Sequence, residues 1–266
     1  MRNKVVVIGI IGLLVLLFLG TRHVINQVNG FSFNQSVNIE DEIIINQPYE
    51  KIDLLTTNAK VELIPTKAEE TTITYGGKKK FGVHFKASVK GDTLSIQLKE
   101  KWFNVLSFSM KGLVLTVHVP ERTYEEIKVV TDNGLIEASH LQAKLIELET
   151  DNGFVKLGNS EGDVVKLQTD NGQISIRDVS ANVVARTDNG RITYEADTLT
   201  HDVDIRTDNG AIYVKLGEEP ANARIKADTD NGIVTIFGAK ERTATFGEGK
   251  NLMKLQTDNG RIVVEK

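Results

Sequence analysis

The stretch IKVVTDNGLIEA, residues 127–138, contains the tetrapeptide on which the fold turns. Thr-Asp-Asn-Gly begins at position 131 and recurs at 150, 169, 187, 207, 229 and 257, at intervals of 19, 19, 18, 20, 22 and 28 residues. Two and four residues before each Thr the chain is mostly apolar, as at Val129 and Ile127, Leu148 and Ile146, and Leu167 and Val165. Polar residues such as Lys128, Glu147 and Lys166 fall between them. A period of two marks a strand with one buried face, and the Thr lies on that face. Two and four residues after each Gly the pattern resumes, as at Ile136 and Ala138, Val155 and Leu157, and Ile174 and Ile176. Thr and the first of these lie five positions apart, so strict alternation would put them on opposite faces. Asp-Asn-Gly must therefore be a corner that resets the phase.

The corner residues are Asp132, Asn133 and Gly134; Asp151, Asn152 and Gly153; Asp170, Asn171 and Gly172; and Asp188, Asn189 and Gly190. The series ends with Asp208, Asn209 and Gly210; Asp230, Asn231 and Gly232; and Asp258, Asn259 and Gly260. Asn and Gly tolerate positive φ, which suits a corner. Asp can accept a bond from a nearby amide and close an Asx-type turn. Asn-Gly between alternating strands is also a hairpin signal, which would give an antiparallel meander. The near-identity of the copies favours a parallel β-solenoid (a β-helix). There each corner rests on its own copy one strand spacing away, and Asn ladders reward the match.

A second, looser corner is expected at 140–144, 159–163, 178–182 and 197–202, and the long insertion at 237–250 is expected to bulge there. Residues 52–63, IDLLTTNAKVEL, overlay on 127–138 with Thr-Asn-Ala in place of Asp-Asn-Gly. The N-terminal part is therefore read as degenerate strands of the same all-β fold, with atypical ends that cap it.

The 266 residues are 26% charged and 40% hydrophobic, which fits a folded chain. Aromatics are only 6%, so Val, Ile and Leu must build the core. Cysteine is absent, which excludes disulfides, thiolate metal sites and a cysteine nucleophile. Arg2 and Lys4 precede an apolar run, Val5 to Thr21, long enough for about 25 Å of helix. No small-residue cleavage site follows it, so it is read as an uncleaved anchor and not a signal peptide. The basic flank favours a cytoplasmic N-terminus. The expected organisation is cytoplasmic residues 1–4, a transmembrane anchor at 5–21, a polar tether at 22–40, degenerate β repeats or a cap at 41–130, and the TDNG solenoid at 131–266. The expected location is a single-pass bacterial cell-membrane protein with its C-terminal domain outside.

The TDNG-x-[IV]-x-[VIAL] repeats, the segment VHVPERTYEEIKVV at 117–130 and the N-terminal anchor resemble the LiaG/YvlB group of Firmicute membrane proteins. The resemblance covers about residues 40–266. It implies an extracytoplasmic β-solenoid of unknown function, labelled a "putative adhesin" and associated with cell-envelope stress. It carries over no catalytic residues.

The Asp column would place unit charges about 5 Å apart, repelling by roughly 0.8 kcal/mol per pair in water. It is satisfied by its own corner amides or else binds Ca²⁺ or a cationic wall component; the motif matches neither the EF-hand loop nor the calcium nonapeptide. Sugar-cleaving β-helices need two carboxylates in unlike environments. Identical carboxylates at every repeat single out no pair, and the histidines lack ligand spacing. No catalytic residue, metal or cofactor is assigned. Residues 1–112 carry 14 basic and 10 acidic side chains, the remainder 18 and 26. Aromatics and lysines concentrate at 76–111, where Lys99, Lys101, Trp102 and Phe103 are candidates for contact with anionic lipid. The alternative is that these aromatics cap the open end of the solenoid. A net charge of −4 and the expected location argue against nucleic acid. The expectation is a non-enzymatic adhesin-like scaffold or binding module whose partners are the cytoplasmic membrane and an envelope protein or cell-wall polymer. The alternative is an enzyme acting on cell-wall glycans.

Overall fold

The computed structural model describes residues 31–32, 38–78, 83–100 and 113–266. Among the described residues fifteen strands form in chain order. The first seven are β1 (Phe31–Ser32), β2 (Asn38–Ile45), β3 (Lys51–Thr66), β4 (Thr71–Lys78), β5 (Val83–Lys90), β6 (Thr93–Glu100) and β7 (Leu113–Pro120). Then follow β8 (Thr123–Ser139), β9 (Gln142–Gly158), β10 (Glu161–Arg177), β11 (Ser180–Ala196), β12 (Val203–Leu216), β13 (Ala223–Ile236), β14 (Thr243–Phe246) and β15 (Asn251–Glu265). Among the described residues no helix is long and apolar enough to cross a membrane; the apolar run 5–21 lies outside them.

The repeats pair in parallel, so the fold is a solenoid and not a meander. Each long strand runs through its TDNG corner without losing its partners. Thr150 pairs with Thr169, Asn152 with Asn171 and Gly153 with Gly172, while the Asp is skipped. Each rung therefore has a leading half before the corner and a trailing half after it. Stacked, the halves make two sheets that face each other. The inward residues predicted from alternation fill the space between: Ile146, Leu148, Val155 and Leu157 are buried, as are their counterparts in every rung. Burying each such side chain contributes about 1.5–3 kcal/mol, so the core is additive along the stack.

The second corner is tight. Two residues suffice to turn from β8 to β9 (His140, Leu141), from β9 to β10 (Asn159, Ser160) and from β10 to β11 (Asp178, Val179). The first of each pair takes positive φ, at 58°, 46° and 51°. The second is buried. Positive φ thus falls on both corners: on these residues, and at 156°, 157° and 158° on Gly134, Gly153 and Gly190 of the tetrapeptide. No Asn of the tetrapeptide has positive φ among the described residues, contrary to expectation.

β3 is the first rung, and the overlay of 52–63 on 127–138 is realised in its register: Ile52 faces Ile127, Thr56 faces Thr131, and Asn58 faces Asn133. On its other edge β3 forks. Lys51–Thr56 pairs with β6, which pairs antiparallel with β5 and extends the leading sheet. Ala59–Thr66 pairs with β7, which pairs antiparallel with β4 and extends the trailing sheet. Tyr75 of β4 and Phe85 of β5 meet between the two extensions, with ring centroids 4.6 Å apart, and close that end of the core.

At the other end the stacking order departs from chain order. β12 pairs with β15, and β15 pairs with β13, all in parallel. The last repeat in the sequence is therefore an inner rung, inserted between the fifth and sixth TDNG copies. The 237–250 insertion does more than bulge at the second corner. It turns back as β14, antiparallel to Ala223–Lys226 of β13, and then delivers β15 into the slot. Each of its neighbours has that strand as the partner on one edge, and β13 has otherwise only the short β14.

Ending the chain at Lys250 should accordingly cost more than one terminal rung. The expected result of limited proteolysis with mass spectrometry is a protected core ending near Leu216, with 217–250 digested. Continued protection of 223–236 would show that β13 does not need β15.

Candidate functional site

The TDNG corner is built by backbone pressed on backbone. A Cβ placed on Gly153 would lie 1.9 Å from the carbonyl oxygen of Gly134, and one on Gly172 would lie 1.8 Å from that of Gly153. At Gly190, Gly210, Gly260 and Gly232 the corresponding gap is 1.6 Å. Glycine is needed here chiefly because the next rung's carbonyl occupies the space of a side chain.

Beside this column runs a chain of amide bonds. Asn133 Nδ2 donates to Asn58 Oδ1 at 2.9 Å, Asn152 to Asn133 at 3.0 Å, Asn171 to Asn152 at 3.1 Å and Asn189 to Asn171 at 3.0 Å. Asn209 donates to Asn189 at 3.1 Å, Asn259 to Asn209 at 3.0 Å, and Asn231 to Asn259 at 3.0 Å. The ladder follows spatial order and crosses the intercalated rung without a break.

The Thr column beneath is buried throughout. Thr131, Thr169, Thr207, Thr229 and Thr257 donate to corner carbonyls of the adjoining rung at 3.2–3.5 Å. The hydroxyls of Thr56, Thr150 and Thr187 have no partner, at a cost of about 1–3 kcal/mol each.

The Asp column lies outermost. Asp132, Asp151, Asp170, Asp188 and Asp230 are exposed. Their carboxylates do not close the Asx-type turns expected of them. Asp208 and Asp258 share Arg206, whose Nη2 lies 3.2 Å and 3.6 Å from their oxygens, so one cation relieves two adjacent corners. Among the described residues no three His, Cys, Asp or Glu side chains cluster as a metal site.

The two outer faces differ in their side chains, although both carry ion pairs between rungs. On the leading face Lys128 pairs with Glu147, and Arg186 with Asp204 through two bonds of 2.7 and 3.2 Å; on the trailing face Lys60 and Lys156 pair with Glu137, and Arg177 with Glu195. The hydrogen bond to Glu147 holds the Lys128 pKa above its usual value. In the trailing sheet the first outward column reads Leu135, Phe154, Gln173, Arg191 and Ala211, and the second reads Glu137, Lys156, Ser175, Thr193 and Tyr213.

At the N-terminal end a groove of about 520 Å³ lies between the 46–49, 66–69 and 120–122 segments. Its fixed feature is Arg122, whose guanidinium lies 4.9 Å from the ring centroids of both Tyr49 and Tyr124 and donates to the Tyr49 carbonyl. Burial pushes the Tyr49 hydroxyl far above its usual pKa, partly offset by its bond to Thr71. The groove carboxylates, Glu69 and Glu121, are both exposed and show no division into unlike environments. Sequence reasoning missed this groove, since only the quoted 117–130 segment touched it. Of the lipid-contact candidates, Lys99 is exposed on β6, while Lys101, Trp102 and Phe103 lie outside the described residues.

These features define a repeat protein of the β-solenoid class, with stacked identical corners and two unlike flat faces. The chain belongs to the Toastrack DUF4097 family, which matches residues 49–184 and again 136–265. No curated protein matches the sequence. Similar solved structures include a "putative cell adhesion protein" from Clostridium sporogenes ATCC 15579, at 15% identity over 86% of this chain and 99% of that one, with a TM-score of 0.42. A "putative adhesin" from Bacteroides fragilis NCTC 9343 matches at 18% identity over 85% and 97%, with a TM-score of 0.48. Another from Parabacteroides merdae ATCC 43184 matches at 9% identity over 88% and 98%, with a TM-score of 0.42.

Two stability predictions follow from the corner and the core. Asn171→Ala removes one donor and one acceptor from an exposed ladder and should cost about 1 kcal/mol. Gly172→Ala forces a methyl group into the Gly153 carbonyl and should cost about 3 kcal/mol. Urea unfolding decides this, and an equal or reversed ranking would contradict the packing described. Tyr194 is buried, and its pKa is pushed up to about 12 by that burial and then by Asp178. An unfolded chain releases this proton near pH 10, so the contribution is intact below about pH 10 and is lost as pH rises toward 12. The loss should be on the order of 2 kcal/mol and should shrink in Tyr194→Phe. Identical pH–stability slopes in both proteins would remove Tyr194 from the account.

Proposed function

We propose that the chain is a membrane-anchored, extracytoplasmic, adhesin-like scaffold or binding module of the bacterial cell envelope, non-enzymatic and of the LiaG/YvlB type with its link to envelope stress. The observation that carries this is the uniformity of the corner. Seven Asp-Asn-Gly sets recur in register, which suits a periodic surface; Asp208 and Asp258 alone share a cation, Arg206, and sharing it leaves them in like environments, so no acid–base pair is set apart. The apolar run 5–21 with its basic flank supports the anchor. A partner, whether an envelope protein or a cell-wall polymer, docks along a flat face.

Proximity labelling in intact cells, with the labelling enzyme fused after Lys266, tests this. The expected result is tagging of membrane and envelope proteins, together with digestion of the domain by protease added outside. Tagging of cytoplasmic proteins with protection from added protease would overturn it.

A further inference from the structure

We propose that the trailing face carries a binding strip for a neutral, linear, β-1,4-linked glycan lying along the stack, across β9 to β12. This rests on the binding-module function above and names its ligand class.

Phe154 and Tyr213 mark the two ends of the strip. Both point outward and are half-buried on flat sheet. They are three rungs apart, or about 14 Å along the stack, and one outward column apart along the strand. Between them stand Gln173, Ser175, Arg191 and Thr193. These side chains are mostly shorter than the rings, so the strip is a shallow trough with an aromatic ring at either end.

The polar groups of the trough are uncommitted. Gln173, Ser175 and Thr193 are on the ladder, yet the hydrogen bonds of the described residues leave their side chains without a protein partner. Arg191 has no carboxylate partner among the described residues and rests 5.3 Å from the Tyr213 ring centroid, leaving its fork of donors available. The ion pairs of the trailing face lie beside these four residues: Lys156 pairs with Glu137 toward β8, and Arg177 pairs with Glu195 in the next column out.

A glycan answers this arrangement on three counts. The rise of one sugar in a β-1,4-linked chain is close to one strand spacing, so successive sugars meet successive rungs in the same columns. The C–H faces of sugars stack on aromatic rings, while hydroxyls pair with amides, hydroxyls and guanidinium. The charge is also appropriate. The first two outward columns of β9–β12 hold no acidic residue and two cations; Lys156 is paired with Glu137 of β8 and Arg191 rests on Tyr213, while the Asp column stands along the adjoining corner and repels polyanions. A protein partner would require a larger apolar centre than two separated rings.

The test is calorimetric titration of the full-length chain in detergent with cellohexaose and with chitohexaose. Saturable binding of at least one is expected, with little dependence on salt. Phe154→Ala and Tyr213→Ala should each weaken it at least about tenfold, or about 1.4 kcal/mol. Thr193→Arg, at a half-exposed outward position, should abolish it without lowering the melting temperature. Lys128→Gln on the leading face should leave it unchanged. Absence of binding to both oligosaccharides overturns the proposal. So does binding indifferent to Phe154→Ala, Tyr213→Ala and Thr193→Arg, or a preference for polyanions with steep salt dependence. A self-associated chain that Thr193→Arg converts to monomer would assign the strip to a second copy instead. If proximity labelling places the domain at the envelope and the titrations fail, the glycan strip falls while the scaffold function stands.

Discussion

The distance between carbonyl oxygens and the α-carbons of stacked corner glycines governs this molecule. Each rung sits so close to the next that no side chain fits between them at that one column. The closeness has a return. It brings successive asparagine amides to 2.9–3.1 Å and lets a single bonded chain run the length of the stack. It also buries the Thr column, three of whose hydroxyls go without partners. The corner is thus a compromise in which close backbone packing and the ladder outweigh unsatisfied hydroxyls.

The same constraint explains the one rung that breaks the motif. Ala59 stands where glycine would be expected in β3. The next corner presses its glycine onto the Ala59 carbonyl, but β3 has no corner beneath it, because its other edge is shared between β6 and β7. A methyl group has room there. Asn58 is retained because the ladder needs an acceptor for Asn133. The substitution of Thr-Asn-Ala for Asp-Asn-Gly is therefore a record in sequence of where the stack begins.

Much of the fold was legible in this way. Inward positions followed from alternation around the tetrapeptide, and the first rung followed from the overlay of 52–63 on 127–138. Local conformation was less legible. Positive φ was expected at Asn and Gly of TDNG; it occurs at Gly134, Gly153 and Gly190 and at no Asn of the motif, and it also falls on His140, Asn159 and Asp178, where the opposite turn has only two residues. The stacking order was not legible at all. Every copy of the motif pairs with every other equally well, so spacing could indicate an insertion before Thr257 but not its destination. The faces were readable as columns only once the register was known. Arg122 over Tyr49 and Tyr124 depends on residues 73 and 75 positions apart, measured from Tyr49, with no periodic signal joining them.

The placement of β15 has a consequence for how such a protein is made and how it changes over generations. A repeat array ordinarily lengthens by adding a copy at its end, and each nascent copy can settle on the one already folded. Here the array cannot be finished in the order in which it is synthesised: β12 and β13 wait with facing vacant edges until the fifteen residues of β15 arrive between them. A duplicated C-terminal copy would find that gap already filled. The slot between β12 and β13 is thus closed by a keystone made after both of them, which ties the two rungs together across the chain that separates them.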